Sequence, residues 1–258
     1  MQKKKTIGLM GGMGPAATVD FYRRIVESTD AGRDQDHLHV IVDSQPLVPD
    51  RTAFLLGHGE DPAPTLVAMA QTLERAGADV LIMACNTAHA FAPQVAVAVD
   101  IPLVELPREA AVAVAGHLPG VRRVGLLATT GTVVSGLYQR ALAAQGLESV
   151  VPDHVVQERV MDAIYGPLGV KAGADQRQAR HMMEEVGAAL VAAGAQALLL
   201  ACTELSVLFA DSPPPCGAPV VDAAQVAVER VIRLAGGRVR SRSSPAERPV
   251  GDGIGPAG

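Results

Sequence analysis

The sequence predicts an α/β protein: two similar parallel-sheet α/β domains, related by a pseudo-twofold duplication, with a cleft between them. Two observations carry this. Short apolar runs alternate with amphipathic helical patterns along the chain, as βαβ units in a parallel sheet require. The chain also matches itself when Gly8 is laid on Gly125. At that offset Phe21 falls on Tyr138, Gly77 on Gly194, Cys85 on Cys202 and Pro102 on Pro219.

Strands are expected at 6–10 (TIGLM), 39–43 (HVIVD), 79–85 (DVLIMAC) and 102–106 (PLVEL). The second half repeats them at 123–128 (RVGLLA), 149–156 (SVVPDHVV), 197–202 (ALLLAC) and 219–222 (PVVD). These runs are nearly continuous rather than alternating, which suits strands covered on both faces. Helical patterns lie between them, in TVDFYRRIVEST, PTLVAMAQTLERAG and ARHMMEEVGAALVAAG. The segment PLVELPREAAVAVAGHL has its equivalent in PVVDAAQVAVERVIRLAGG. The chain is therefore expected to cross between domains near 104 and near 217. That gives one domain of 1–104 plus 218–236 and another of 105–217. Residues 237–258 are Gly, Pro, Ser and Arg with few apolar groups, and read as a flexible tail.

Composition narrows the function classes. The 258 residues are 48% hydrophobic but contain no Trp, three Tyr and four Phe, so the cores are built from Ala, Val and Leu. A net charge of -5 argues against a nucleic-acid surface, which needs a basic stripe. No apolar run reaches the roughly 18 residues of a membrane span. Lys3 to Lys5 lack a following apolar h-region, so a cytoplasmic protein is expected. Three cysteines do not read as a disulfide framework. The seven His are scattered without HExxH or CxxC, and no metal site is expected.

Cys85 and Cys202 each end an apolar run, which places both at the carboxyl edge of a sheet, where open α/β sheets bind ligands. Asn86-Thr87 and Thr203-Glu204 follow, residue types that can cap the next helix. A free Cys is more often inert core than reactive. Here, though, the same Ala-Cys with polar residues after it occurs twice. Folded face to face, the halves would bring two thiols to opposite sides of one cleft. Two acid/base groups flanking one carbon can take a proton from one face and return it to the other. Cys216, in DSPPPCGAP, has no such partner and reads as incidental.

A rival signal lies in Gly12-Met13-Gly14-Pro15-Ala16-Ala17, which fits G-x-G-x-x-A before a helix, with Asp43 ending the next strand. Gly-rich strand-to-helix turns are common in α/β proteins. A dinucleotide enzyme would also leave the second cysteine half without a role. The loop reads better as a tight turn whose backbone lines the cleft near Met13.

The motifs GLMGGMGPAATVDFYRRI, PDRTAFLLG, MACNTAH, GLLATTGT and LLACTEL together resemble the aspartate/glutamate racemase family, its aspartate racemases in particular. The resemblance spans about residues 5–235. It implies a cofactor-independent enzyme acting on an acidic amino acid, working as a homodimer, with the active site between the two domains. It implies that Cys85 and Cys202 are the catalytic bases. It also implies that Arg51 and Lys171 hold the distal carboxylate, and that Asn86, Thr87, Thr130 and Thr203 surround the α-carboxylate and ammonium. Read alone, Arg51 in PDRT is as much a turn residue as a ligand, and Lys171 a solvated lysine. Glutamate racemases usually carry His where this chain has Glu204, which favours the aspartate branch. A hydantoin racemase, an arylmalonate-type decarboxylase, a non-catalytic amino-acid-binding protein and an NAD-dependent oxidoreductase stand as alternatives.

Overall fold

The computed structural model describes residues 4–173 and 176–241. The first half begins with β1 (Ile7–Gly11), α1 (Pro15–Ser28), β2 (Val40–Ser44), α2 (Arg51–Leu55) and α3 (Ala63–Arg75). β3 (Val80–Met83), α4 (Ala92–Ala96), β4 (Leu103–Val104) and α5 (Leu106–His117) follow. The second half has β5 (Arg123–Leu127), α6 (Thr130–Val134), α7 (Leu137–Ala143), β6 (Glu148–Val150), α8 (His154–Tyr165) and α9 (Arg177–Ala192). It closes with β7 (Ala197–Leu200), α10 (Thr203–Leu208), β8 (Val220–Asp222) and α11 (Ala223–Leu234).

The strands form two parallel sheets of one order, β2-β1-β3-β4 and β6-β5-β7-β8. The inner strands β1, β3 and β7 are buried at every residue, which explains their unbroken apolar runs. Equivalent residues do equivalent work. A Cβ on Gly8 would lie 2.7 Å from Leu81 and 2.9 Å from Ala78. A Cβ on Gly125 would lie 2.6 Å from Leu198 and 3.1 Å from Ala195. The glycine lets α3 or α9 press onto its sheet. Gly77 and Gly194 both have φ +95 and end those helices, with Ala78 N–H donating to Leu73 O and Ala195 N–H to Leu190 O. This is the left-handed helix stop that favours glycine.

Three expectations shift. The strand expected at 149–156 stops at Val150, because Pro152 has no N–H and Asp153 caps α8 by accepting from Val156 N. The return crossing lies after Asp222 rather than near 217, because β8 pairs with β7 in the second sheet. The helix after each fourth strand changes sides. Ala110 and Val114 of α5 pack with Val124 and Leu126, while Val228 and Ile232 of α11 pack with Ile7 and Leu9. Of the expected tail, residues 237–241 pack along the end of α1. Val239 bridges Thr29, and Arg240 N–H donates to Ser28 O. Residues 242–258 lie outside the described residues.

Candidate active site

In both sheets the strand order reverses between the first and third strands, and the crevice at such a switch point is where open sheets bind ligands. The β1–α1 turn and Cys85 meet at the first, the β5–α6 turn and Cys202 at the second. Both cysteines lie two residues past a strand end, and both are buried. Lys171, Tyr138 and Tyr165 each lie within electrostatic range of both thiols, so the two strand ends converge.

The backbone of each thiol is held by the residue four positions on. Leu106 N–H donates to His89 Nε2 at 3.2 Å, which leaves the ring proton on Nδ1, and Nδ1 donates to Cys85 O at 2.9 Å. Burial lowers the His89 pKa and keeps the ring neutral. In the second half Ser206 stands in the same place. Its hydroxyl lies 3.4 Å from Cys202 O and donates to Asp222 at 2.7 Å, and Asp222 also pairs with buried Arg24 at 2.8 Å.

The expected caps do not form. Asn86 has helical backbone before a 3-10 turn (Thr87–Phe91) and makes no side-chain cap. Cys202 is itself the first flanking residue of α10, a helix of six residues. The polar residues after the thiols are used elsewhere instead. Asn86 Oδ1 accepts from the Tyr138 hydroxyl of the other half. Thr87 Oγ1 lies 2.9 Å from both Thr129 and Thr132 across the cleft. Thr203 Oγ1 donates to Glu204 at 3.2 Å.

A cavity of about 490 Å³ opens between the halves, lined by Met13, Gly14 and Arg51 from the first and by Tyr165, Lys171 and Glu204 from the second. Met13 O accepts from Arg51 Nη2 at 3.1 Å and lies 3.5 Å from Lys171 Nζ, so a cation from each half reaches one oxygen. Arg51 also donates to Val48 O and Pro49 O, while its buried Nε has no partner. Burial alone would lower the Arg51 pKa, but Cys85, Tyr165 and Asp50 outweigh it and raise the value. The glycine loop has a packing reason. Gly12 has φ +91 and a Cβ there would meet the Gln45 backbone at 2.3 Å, while its N–H donates to Thr18 Oγ1.

Glu204 organises the second side. It accepts from Lys171 Nζ at 2.7 Å and from Cys202 Sγ at 3.2 Å. Burial would raise its pKa, but Lys171 and then the Cys202 hydrogen bond lower it, so it is a carboxylate at neutral pH. Burial, and then Glu204, push the Cys202 thiol well up. A guanidinium therefore faces one thiol and a carboxylate the other.

Of the residues singled out in the sequence, Met13, Arg51 and Lys171 line the cavity, and Cys85, Cys202, Asn86, Thr87 and Thr203 are buried at the strand ends beside it. Thr130 lies with its N–H 3.2 Å from Met161 Sδ, and its Oγ1 accepts from Gln157 at 3.3 Å, both on α8. The sequence reading missed Tyr165, Asp50 and Ser206. It read Glu204 as a helix-capping residue type and a mark of family branch, although a charge inside LLACTEL was signal enough for a site role.

Residues 10–231 match the Asp/Glu/hydantoin racemase family. The chain belongs to that family. It is 27% identical over 212 residues to a broad-specificity amino-acid racemase, RacX, of Bacillus subtilis, spanning 79% of this chain and 87% of that one. The structure of an aspartate racemase from Picrophilus torridus superposes with a TM-score of 0.80 at 33% identity, covering 92% of this chain and 96% of that one. An aspartate racemase homologue from Pyrococcus horikoshii gives 0.70 at 27% identity, covering 90% and 99%. Among the described residues no helix is long and apolar enough to cross a membrane.

Proposed function

We propose that this chain is a cofactor-independent racemase that interconverts the L- and D-forms of an acidic amino acid, aspartate first, by passing the α-proton between Cys85 and Cys202. The observation that carries the reading is the convergence of Arg51 and Lys171, one from each half, on Met13 O in a cavity whose flanking strand ends bear the two thiols. Arg51 presents a buried N–H without a partner, and a planar guanidinium suits bidentate carboxylate binding.

The chemistry follows from acidity. The α-proton of an amino acid is far less acidic than a thiol of pKa about 8.5. Without a pyridoxal ring, fixed N–H donors and cations around the carboxylates must hold the developing charge. One thiol must be ionised while the other carries the proton. The Cys202 hydrogen bond to Glu204 favours Cys202 as the protonated partner at rest. A decarboxylase needs only one proton donor and a binding protein needs none, so two thiols speak against both alternatives.

One observation favours a wider substrate range: Glu204 already takes the Lys171 charge at 2.7 Å, leaving Arg51 as the cation with a free donor. The test is chiral chromatography of L-aspartate, L-glutamate, L-alanine and L-lysine incubated with the enzyme and no added cofactor. D-aspartate accumulating to equality with the L-form supports the reading. Comparable turnover of all four supports the broad one, and no D-isomer from any sinks both. The reading also takes the protein as a cytoplasmic homodimer, and sedimentation tests its assembly.

A further inference from the structure

Tyr138 and Phe21 occupy equivalent places in the duplicated halves, and both rings are completely buried. Phe21 packs with Ile7, Leu9 and Ile25, while Tyr138 packs with Val124, Leu126 and Leu142. The first half shows that this fold position is filled without a hydroxyl. In the second half the ring carries one, and it reaches across to the first half, where it donates to Asn86 Oδ1.

Asn86 follows Cys85 directly and is 2% exposed, yet its Nδ2 has no hydrogen-bond partner. A buried amide N–H without a partner is costly, and the exceptions call for a reason. The amide's orientation has one. Buried away from water, among Asp222, Cys202 and Cys85, the phenol has its pKa pushed well up and keeps its proton. A phenol that stays protonated is a permanent donor, so the oxygen of the Asn86 amide is the end it holds. The nitrogen is thereby turned the other way, and it is the end left without a partner.

We propose that Tyr138 is a positioning residue that locks the Asn86 carboxamide with Nδ2 facing the substrate's α-carboxylate, so that the amide stabilises the charge spreading onto that carboxylate as the α-proton leaves. The proposal rests on the racemase reading and deepens it. A donor aimed at charge that develops in the transition state accelerates the chemical step more than it tightens binding. The hydroxyl therefore serves turnover, and the ring serves packing.

The experiment compares Tyr138→Phe, Asn86→Ala and the double variant with the intact enzyme. Phe21 predicts that Tyr138→Phe folds, with a melting temperature lowered only by the loss of the donor to buried Asn86 Oδ1. If the amide acts as an oxyanion-type donor, Asn86→Ala lowers kcat by about 10²-fold. Tyr138→Phe lowers it by about tenfold with KM changed much less, and adds nothing in the Asn86→Ala background, as expected for residues acting as a unit. A Tyr138→Phe variant with wild-type kcat overturns the proposal, as does full additivity in the double variant or full activity in Asn86→Ala. A second readout needs no turnover. The side-chain amide signals of Asn86, identified by their loss in Asn86→Ala, shift when malonate is added to the ¹⁵N-labelled enzyme and fail to do so in Tyr138→Phe. Equal shifts in both proteins overturn the proposal. If the intact enzyme racemises nothing, the racemase reading fails, and these amide signals still decide the role of Tyr138.

Discussion

Cys85 and Cys202 lie two residues past the third strand of two sheets with the same strand order, yet their surroundings are opposite in charge. Arg51 lies against Cys85, while Glu204 accepts a hydrogen bond from Cys202. The residue four positions on is a neutral His in one half and a Ser tied to Asp222 and Arg24 in the other. The frame has been kept where packing dictates it, as at Gly8 and Gly125, and has diverged where the thiols are served. A reaction that needs one acid and one base at any instant calls for that combination of symmetric placement and asymmetric charge.

The comparison breaks first at the thiols. Cys85→Ala and Cys202→Ala should each lower racemisation by about 10²–10⁴-fold, the range of a positioned acid or base, as read by chiral chromatography. If either variant keeps full activity, the two sites are not a catalytic pair. Next comes Arg51. Replacing it with Lys keeps the charge but loses the fork, and should cost about tenfold to a hundredfold in kcat/KM on aspartate.

Glu204→Gln sharpens the asymmetry. The carboxylate raises the Cys202 pKa by opposing a second negative charge, so its neutral isostere lets the thiolate form at lower pH. The alkaline limb of the kcat profile, where the pair loses its last thiol proton, should move to lower pH. An unmoved limb would show that Glu204 does not govern that thiol. The same carboxylate contributes stability above its usual value of 4.5, because Lys171 holds its folded pKa below that. The melting-temperature gap between wild type and Glu204→Gln should therefore close as pH falls below 4.5 toward the lowered folded pKa.

The smallest effects test the shared frame. Gly8→Ala and Gly125→Ala each push a Cβ against a leucine and an alanine, and should each destabilise by about 1–3 kcal/mol in denaturant melts. Clearly unequal losses would mean that the halves are not equivalently packed.

Much of this frame is legible in the sequence, because buried central strands leave unbroken apolar runs and helix stops need glycine. What fails is local grammar overridden by context. SVVPDHVV is apolar enough for a strand, but Pro152 and Asp153 start a helix inside it. Asn86 and Thr87 have capping side chains, but spend them on Tyr138, Thr129 and Thr132 across the cleft. The repeat marks the thiols because it places a cysteine twice at the same point of the two halves. Tyr165 carries no such mark. It reaches the site by meeting Asp50 from the far half at 3.4 Å, a contact between residues distant in sequence.

The most direct test of the two-thiol exchange is proton NMR of L-aspartate with the enzyme in D2O, followed at early times. The account predicts deuterium at the α-carbon of newly formed D-aspartate while the remaining L-aspartate keeps its α-proton, because each face has its own thiol. Deuterium entering the remaining L-aspartate as fast as D-aspartate forms would mean that a single base serves both faces, and would contradict it.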